Sequence, residues 1–217
     1  MFVVNKEIRN YAKFIRDTFL NYQEREICFL KLKENHKKMD VPSLVGLAAQ
    51  YYTYKLFLNY RKKYHGNTEK LDFNNDNFLG RPYSAIEIDL PENLILSNEI
   101  LGNEKVPKVE VKVNNEIKYV IPNLLFFKDT PTMVFPKVGK WTSKTTEKYK
   151  ELGEIVKETF YGKDPSLILV VPINVYDGMG GKRFRDLNKE TGIIVTPFLN
   201  KRDELYDDFR IFESDKR

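Results

Sequence analysis

The sequence predicts an α/β fold: a mixed central β-sheet flanked by helices, with a helical N-terminal extension over 1–40 and the α/β core over 41–217. Three observations carry that prediction. Through most of the first 66 residues, apolar side chains recur at three- and four-residue steps, the helical period. Two continuous apolar runs, LLFF at 124–127 and SLILVV at 166–171, read as strands buried on both faces. Between them the segment 145–161 is amphipathic, which makes a strand–helix–strand unit.

The segment 5–38 sets Ile8, Tyr11, Ile15, Phe19 and Tyr22 at helical spacing, with Lys and Arg between them. Ile27, Phe29, Leu30 and Leu32 form a second apolar set, so a break or kink is expected near Tyr22 to Glu24. Asp40-Val-Pro-Ser43 offers a turn, a Pro suited to a first helical turn and two N-cap candidates. A second helix is then expected from Pro42 to a stop at Gly66. Gly46, Ala48 and Ala49 would let another element come close. Arg61, Lys62 and Lys63 suit the negative end of the helix dipole.

Residues 67–82 are rich in Asn, Asp and Gly and read as a loop. Strands are expected at 85–90, 108–113, 116–121, 124–127 and 132–138. Asn114-Asn115, a pair that tolerates positive φ, joins the second and third as a hairpin. The helix at 145–161 aligns Tyr149, Leu152, Ile155, Val156 and Phe160. Glycines at 178–181 read as a flexible loop entering the basic stretch KRFRDLNK, and 192–198 as a late strand. The segment DELYDDFRIFESDKR reads as a surface helix or tail.

Composition narrows the function classes. Hydrophobic residues are 41% and charged residues 31% of 217, enough to build a core and a solvated surface. No apolar run approaches the roughly 18–20 residues needed to span a membrane. The N-terminus lacks a secretory h-region, so an intracellular, cytoplasmic protein is expected. Cys28 is the single cysteine and His36 and His65 the only histidines, which excludes an internal disulfide and a cysteine zinc cluster. Cys28 itself, among Ile27, Phe29 and Leu30, reads as core. Residues 1–66 hold 13 Lys and Arg against 6 acids, whereas 67–127 hold 6 against 10. That asymmetry suits a patch that meets a polyanion, or else simply solvated helix faces.

The stretch IPNLLFFKDTPTMVFPKVGK at 121–140, with a helix before it and a helix and buried strand after it, carries a family resemblance. Over about 42–172 the pattern resembles the core of the PD-(D/E)xK nuclease superfamily, which includes many restriction enzymes and the archaeal Holliday junction resolvases. The resemblance implies a restriction-endonuclease-like core acting on duplex or branched DNA, with Mg²⁺ or Mn²⁺ if active, and a homodimer. The tyrosine-rich first helix would supply the dimer interface or cap its own core. Gln50 stands where the family's helical acid would be, Asn123 follows Pro122 in place of the Asp, and Phe135-Pro-Lys137 replaces Glu-x-Lys.

A hard dication needs charged oxygens, and of this set only Lys137 keeps its family character. The expected function is therefore DNA binding with a degenerate metal site. An active nuclease with displaced acids is the alternative, built on Glu87, Asp89 and Glu110-Val-Lys112, and these residues also read as the outward faces of exposed strands. A protein–protein adaptor using the acidic middle is the other alternative. Lys140, Lys144, Lys148, Lys182, Arg183 and Arg185 are the candidate phosphate contacts. The glycines at 178–181 match neither a Walker nor a Rossmann spacing. Trp141 either stacks on a base or packs at a helix start.

Overall fold

Strand β7, Ser166–Pro172, is buried along its whole length, and the other layers are placed around it. The computed structural model describes residues 5–65, 84–86, 94–97, 106–113, 116–120, 124–126, 132–139, 141–159, 166–179, 181–198 and 201. Among them, β1 (Ser84–Ile86), β5 (Leu124–Phe126), β6 (Thr132–Pro136), β7 and β8 (Ile194–Phe198) form one sheet in the order β1-β5-β6-β7-β8. β6, β7 and β8 run parallel, β5 is antiparallel to β6, and β1 is parallel to β5. The described part of the first apolar run, 124–126, thus shares a sheet with the run at 166–171, as expected. A second, antiparallel sheet joins β2 (Leu94–Ser97), β3 (Val106–Val113) and β4 (Glu116–Val120). β3 and β4 pair up to Val113 and Glu116, while Asn114 and Asn115, where the turn is expected, lie outside the described residues.

The alternation along β7 assigns the layers. Ile168 and Val170 join Val134 and Phe198 in a cluster with α1 (Lys6–Asp17), α2 (Tyr22–Asn35) and α3 (Val41–His65). Leu167, Leu169 and Val171 join Met133 in a cluster on the other face, with α4 (Ser143–Thr159) and α6 (Gly181–Thr191). α5 (Ile173–Met179) follows β7 directly and packs Val175 and Tyr176 against that second cluster. Helices therefore cover both faces of the sheet, the α/β arrangement the sequence predicts. Each fully buried Ile, Leu or Phe stabilises this sandwich by roughly 1.5–3 kcal/mol.

Local chemistry explains where the elements start and stop. The helical stretch 5–38 divides before Tyr22, because Asn21 and Glu24 form a reciprocal capping box with bonds of 2.9 and 3.3 Å. Asp40 accepts from Ser43 N–H at 3.1 Å at the head of α3, so of the two candidates it is Asp40 that caps and Ser43 that donates to it. Its carboxyl is held below the usual range by those Ser43 hydrogen bonds. α4 starts at Ser143 rather than 145, since Thr142 and Thr145 bond each other's backbone N–H at 3.2 Å.

Four expectations are corrected. Of the glycines expected in a flexible loop, Gly178 lies in α5 and Gly181 opens α6, while Gly180 lies outside the described residues. Burial of Phe184 and Leu187, with the partly buried Tyr176 packed beside them, outweighs the helix penalty of Gly, about 1 kcal/mol. The late strand begins at Ile194, because Gly192, with φ 75°, ends α6 by donating its N–H to Asn188 O at 2.7 Å. On α3, Ala48 and Ala49 are fully buried, but a Cβ at Gly46 would meet nothing within 4 Å. Arg61 is buried at 2% exposure, so it is not a solvated dipole cation. Phe160, expected on the α4 face, lies outside the described residues, as do the 67–82 loop and the C-terminal tail.

Three outcomes are expected. Ile15→Ala removes a fully buried side chain between α1 and the core, and should cost about 2–5 kcal/mol in denaturant unfolding. Ile27→Ala, at a position 45% exposed, should change stability by no more than about 0.5 kcal/mol. Burial raises the phenols of Tyr11 and Tyr60, and pushes Tyr149 up to about 12. Because the folded state holds these protons more tightly, their contribution is complete below about pH 10, where unfolded tyrosine ionises. It should be lost as pH rises through the folded values, read as a falling melting temperature between about pH 10 and 12.

Candidate nucleic-acid interface

α1 is amphipathic in a way that gives it two partners. Ile8, Tyr11, Ala12 and Ile15 are buried, and the exposed cations Arg9, Lys13 and Arg16 follow at steps of four and three residues. Thr196 Oγ1 in β8 donates to Ala12 O at 2.9 Å, a buried bond that fixes α1 beside that strand. α6 repeats the design on the opposite face of the sheet. Phe184, Leu187 and Thr191 are buried, while Arg185 and Lys189 are exposed. Asn188 Nδ2 donates to Ile193 O at 2.9 Å and ties the end of α6 to the approach to β8.

Since β8 is at one edge of the sheet, α1 and α6 flank that edge and leave a cleft of about 630 Å³ between them. Its floor is Ile194 to Pro197, its wall includes Tyr176 and Phe184, and its rim carries Arg9, Lys13, Arg16, Arg185 and Lys189. Among the described residues, no acid lines it. The acids of the two helices are engaged elsewhere or offset one cation only. Glu7 accepts from Tyr60 OH at 2.6 Å, on α3. Asp17 accepts from Arg16 Nε at 2.9 Å, with both side chains about half exposed. That hydrogen bond holds the Asp17 carboxyl below its ordinary range and, with a smaller contribution from Tyr176, raises Arg16. Asp186 and Glu190 line a separate depression of about 400 Å³.

The sequence candidates divide around this cleft. Arg185 lines it. Arg183 instead faces the mixed-charge depression, which also holds Glu147, Asp186 and a Lys150–Glu190 ion pair, so it is not part of the basic rim. Lys144 and Lys148 are exposed on α4 and line neither cavity. Lys182 is the second residue of α6, but its side chain, like the whole of Lys140, lies outside the described residues. Trp141 packs: its ring stacks on Tyr149 at 5.6 Å and meets Phe184 edge-on at 5.1 Å. Cys28 is buried, and burial raises its thiol far above the ordinary range. Arg9, Lys13, Arg16, Lys189 and Tyr176 were not singled out as site residues. The four- and three-residue spacing of cations on α1 and α6 is the signal that marks four of them.

The motif-equivalent positions do not assemble. Gln50 is on α3, on one side of the sheet, and its Oε1 is buried without a hydrogen-bond partner among the described residues. Phe135 packs with the cluster on the other side. Lys137 donates its backbone N–H to Val170 O at 2.7 Å and lays its ammonium over Gly139. Asn123, Glu87 and Asp89 lie outside the described residues. Glu110 and Lys112 are in β3, paired with Tyr119 and Ile117 in the second sheet, and their side chains are likewise not described. Among the described residues no group of three or more His, Cys, Asp or Glu could hold a metal ion. A neutral amide and a phenyl ring on opposite faces do not fit Mg²⁺ or Mn²⁺, and no step through a metal is drawn from them.

An unpaired buried amide oxygen is a liability unless a ligand uses it. Gln50→Leu is therefore expected to leave stability unchanged or raise it by up to about 1–3 kcal/mol in chemical denaturation. A loss of more than that would show that Gln50 is paired in solution. Comparison of the chain with protein-family models, with curated proteins and with solved structures gives no match.

Proposed function

We propose that this protein binds DNA, mainly through phosphates, in the cleft between α1 and α6. One observation carries the reading: five cations from two helices converge on a cavity in which no acid is found among the described lining residues. Like charges gathered on rigid elements repel one another, and a polyanion relieves that repulsion while releasing its own counterions. The basic bias of residues 1–66 has its structural expression here, because Arg9, Lys13 and Arg16 supply three of the five charges. An adaptor that docks protein would not need this separation of cations from acids.

A nuclease-like core with a degenerate metal site remains our reading of the fold's finer identity. The chain order α3, β5, β6, α4, β7 supports it, and the amide and phenyl at the matched positions are why we read the site as binding without cleavage.

Binding to a labelled DNA should weaken steeply with salt. Replacing Lys13 and Arg185 together by Ala should lower the slope of log K against log salt by about 2, one for each lost phosphate contact. Lys144→Ala with Lys148→Ala should leave the slope as it is. Absence of DNA affinity at low salt, or a slope that responds only to the α4 lysines, would reject the proposal.

A further inference from the structure

Within the basic cleft one wall is aromatic. Tyr176, at the middle of α5, is partly exposed and stacks on Phe184 of α6 with ring centroids 5.0 Å apart and planes inclined by 20°. Phe184 is itself wedged edge-on against Trp141, at 5.1 Å and 88°, and Trp141 stacks on Tyr149. The ladder runs from the buried face of α4 outward; Phe184 and Tyr176 both line the cleft, and Tyr176 is the more exposed of the two rings. It is held flat from behind, so little freedom remains to be lost when something lies on it.

A ring braced in this way beside exposed cations is the pairing that suits a nucleic acid whose bases are free. Duplex DNA keeps its base faces inside its own stack and would offer this site phosphates only. The size agrees: about 630 Å³ is within the roughly 300–1,000 Å³ of sites for nucleotide-sized ligands. Arg16 lines the same cleft as Tyr176, so charge and ring are offered within one cavity. Building on the DNA-binding reading above, we infer that the preferred ligand is single-stranded nucleic acid, with a base stacked on Tyr176 and the flanking phosphates held by the α1 and α6 cations.

The test compares three fluorescent probes: an oligodeoxythymidine strand of about 12 nucleotides, an abasic strand of the same length, and the matching duplex. The natural protein is expected to bind the thymidine strand at least about tenfold more tightly than either of the others. Tyr176→Leu, which keeps apolar bulk over Phe184, should remove that preference and leave abasic binding unchanged, while Tyr176→Phe should retain it. On the natural protein, an iodouracil-substituted strand should photo-cross-link to Tyr176, a readout that does not depend on any variant folding. Equal binding of all three probes, an unchanged preference in Tyr176→Leu, or cross-linking to another ring would overturn base stacking and leave the phosphate reading standing. Failure of all three probes to bind at low salt would overturn that underlying reading as well.

Discussion

β7 is buried from Ser166 to Pro172, and a strand without a solvent face needs covering on both sides. From that requirement the rest of the architecture follows. One alternation of its side chains needs α1 and α3, the other needs α4 and α6. The parallel connections from β6 to β7 and from β7 to β8 need helices long enough to cross back, which α4 and the α5–α6 pair provide. Covering both faces leaves only the edges open, and at the β8 edge the two helical layers stand on either side of a single strand. The cleft is a consequence of the sandwich rather than an addition to it.

The same economy applies to the residues. α1 must present Ile8, Tyr11 and Ile15 to the core, so its cations have to face elsewhere, and the Thr196 to Ala12 bond decides that some of them overhang β8. α6 is held in the same way by Phe184, Leu187 and the Asn188 bond to Ile193 O. Both rows of charge thus ride on elements whose other faces are fixed in the core. They are positioned before any ligand arrives, which spares the ordering entropy that a flexible basic loop would lose on binding.

Much of the fold was legible in the sequence because period and capping chemistry are local. The apolar runs LLFF and SLILVV, the Asn114-Asn115 turn and the stripe through Tyr149, Leu152 and Ile155 each announce their element. The glycines near 178 misled, since local propensity favours a loop and only the sheet beneath them makes two helices worthwhile. The candidate site was less legible for a related reason. Arg185 was visible in a basic run, but its partners Arg9, Lys13 and Arg16 lie far away in the chain, and only the position of β8 at the sheet edge unites them. The nuclease resemblance directed attention to Gln50, Asn123 and Lys137. Phe135, on the face away from α3, shows how a matching order of elements can leave the side chains of a motif apart.

The central claim is a location, so the most direct measurement is a footprint. Hydrogen–deuterium exchange of the natural protein, with and without a saturating single-stranded oligonucleotide, reads that location without any substitution. The account predicts slowed exchange in α1 and α6, around Arg9 to Arg16 and Arg185 to Lys189, together with the amides of β8. Protection centred instead on α3 near Gln50 and on the end of β6 near Lys137, with α1 and α6 unchanged, would contradict it.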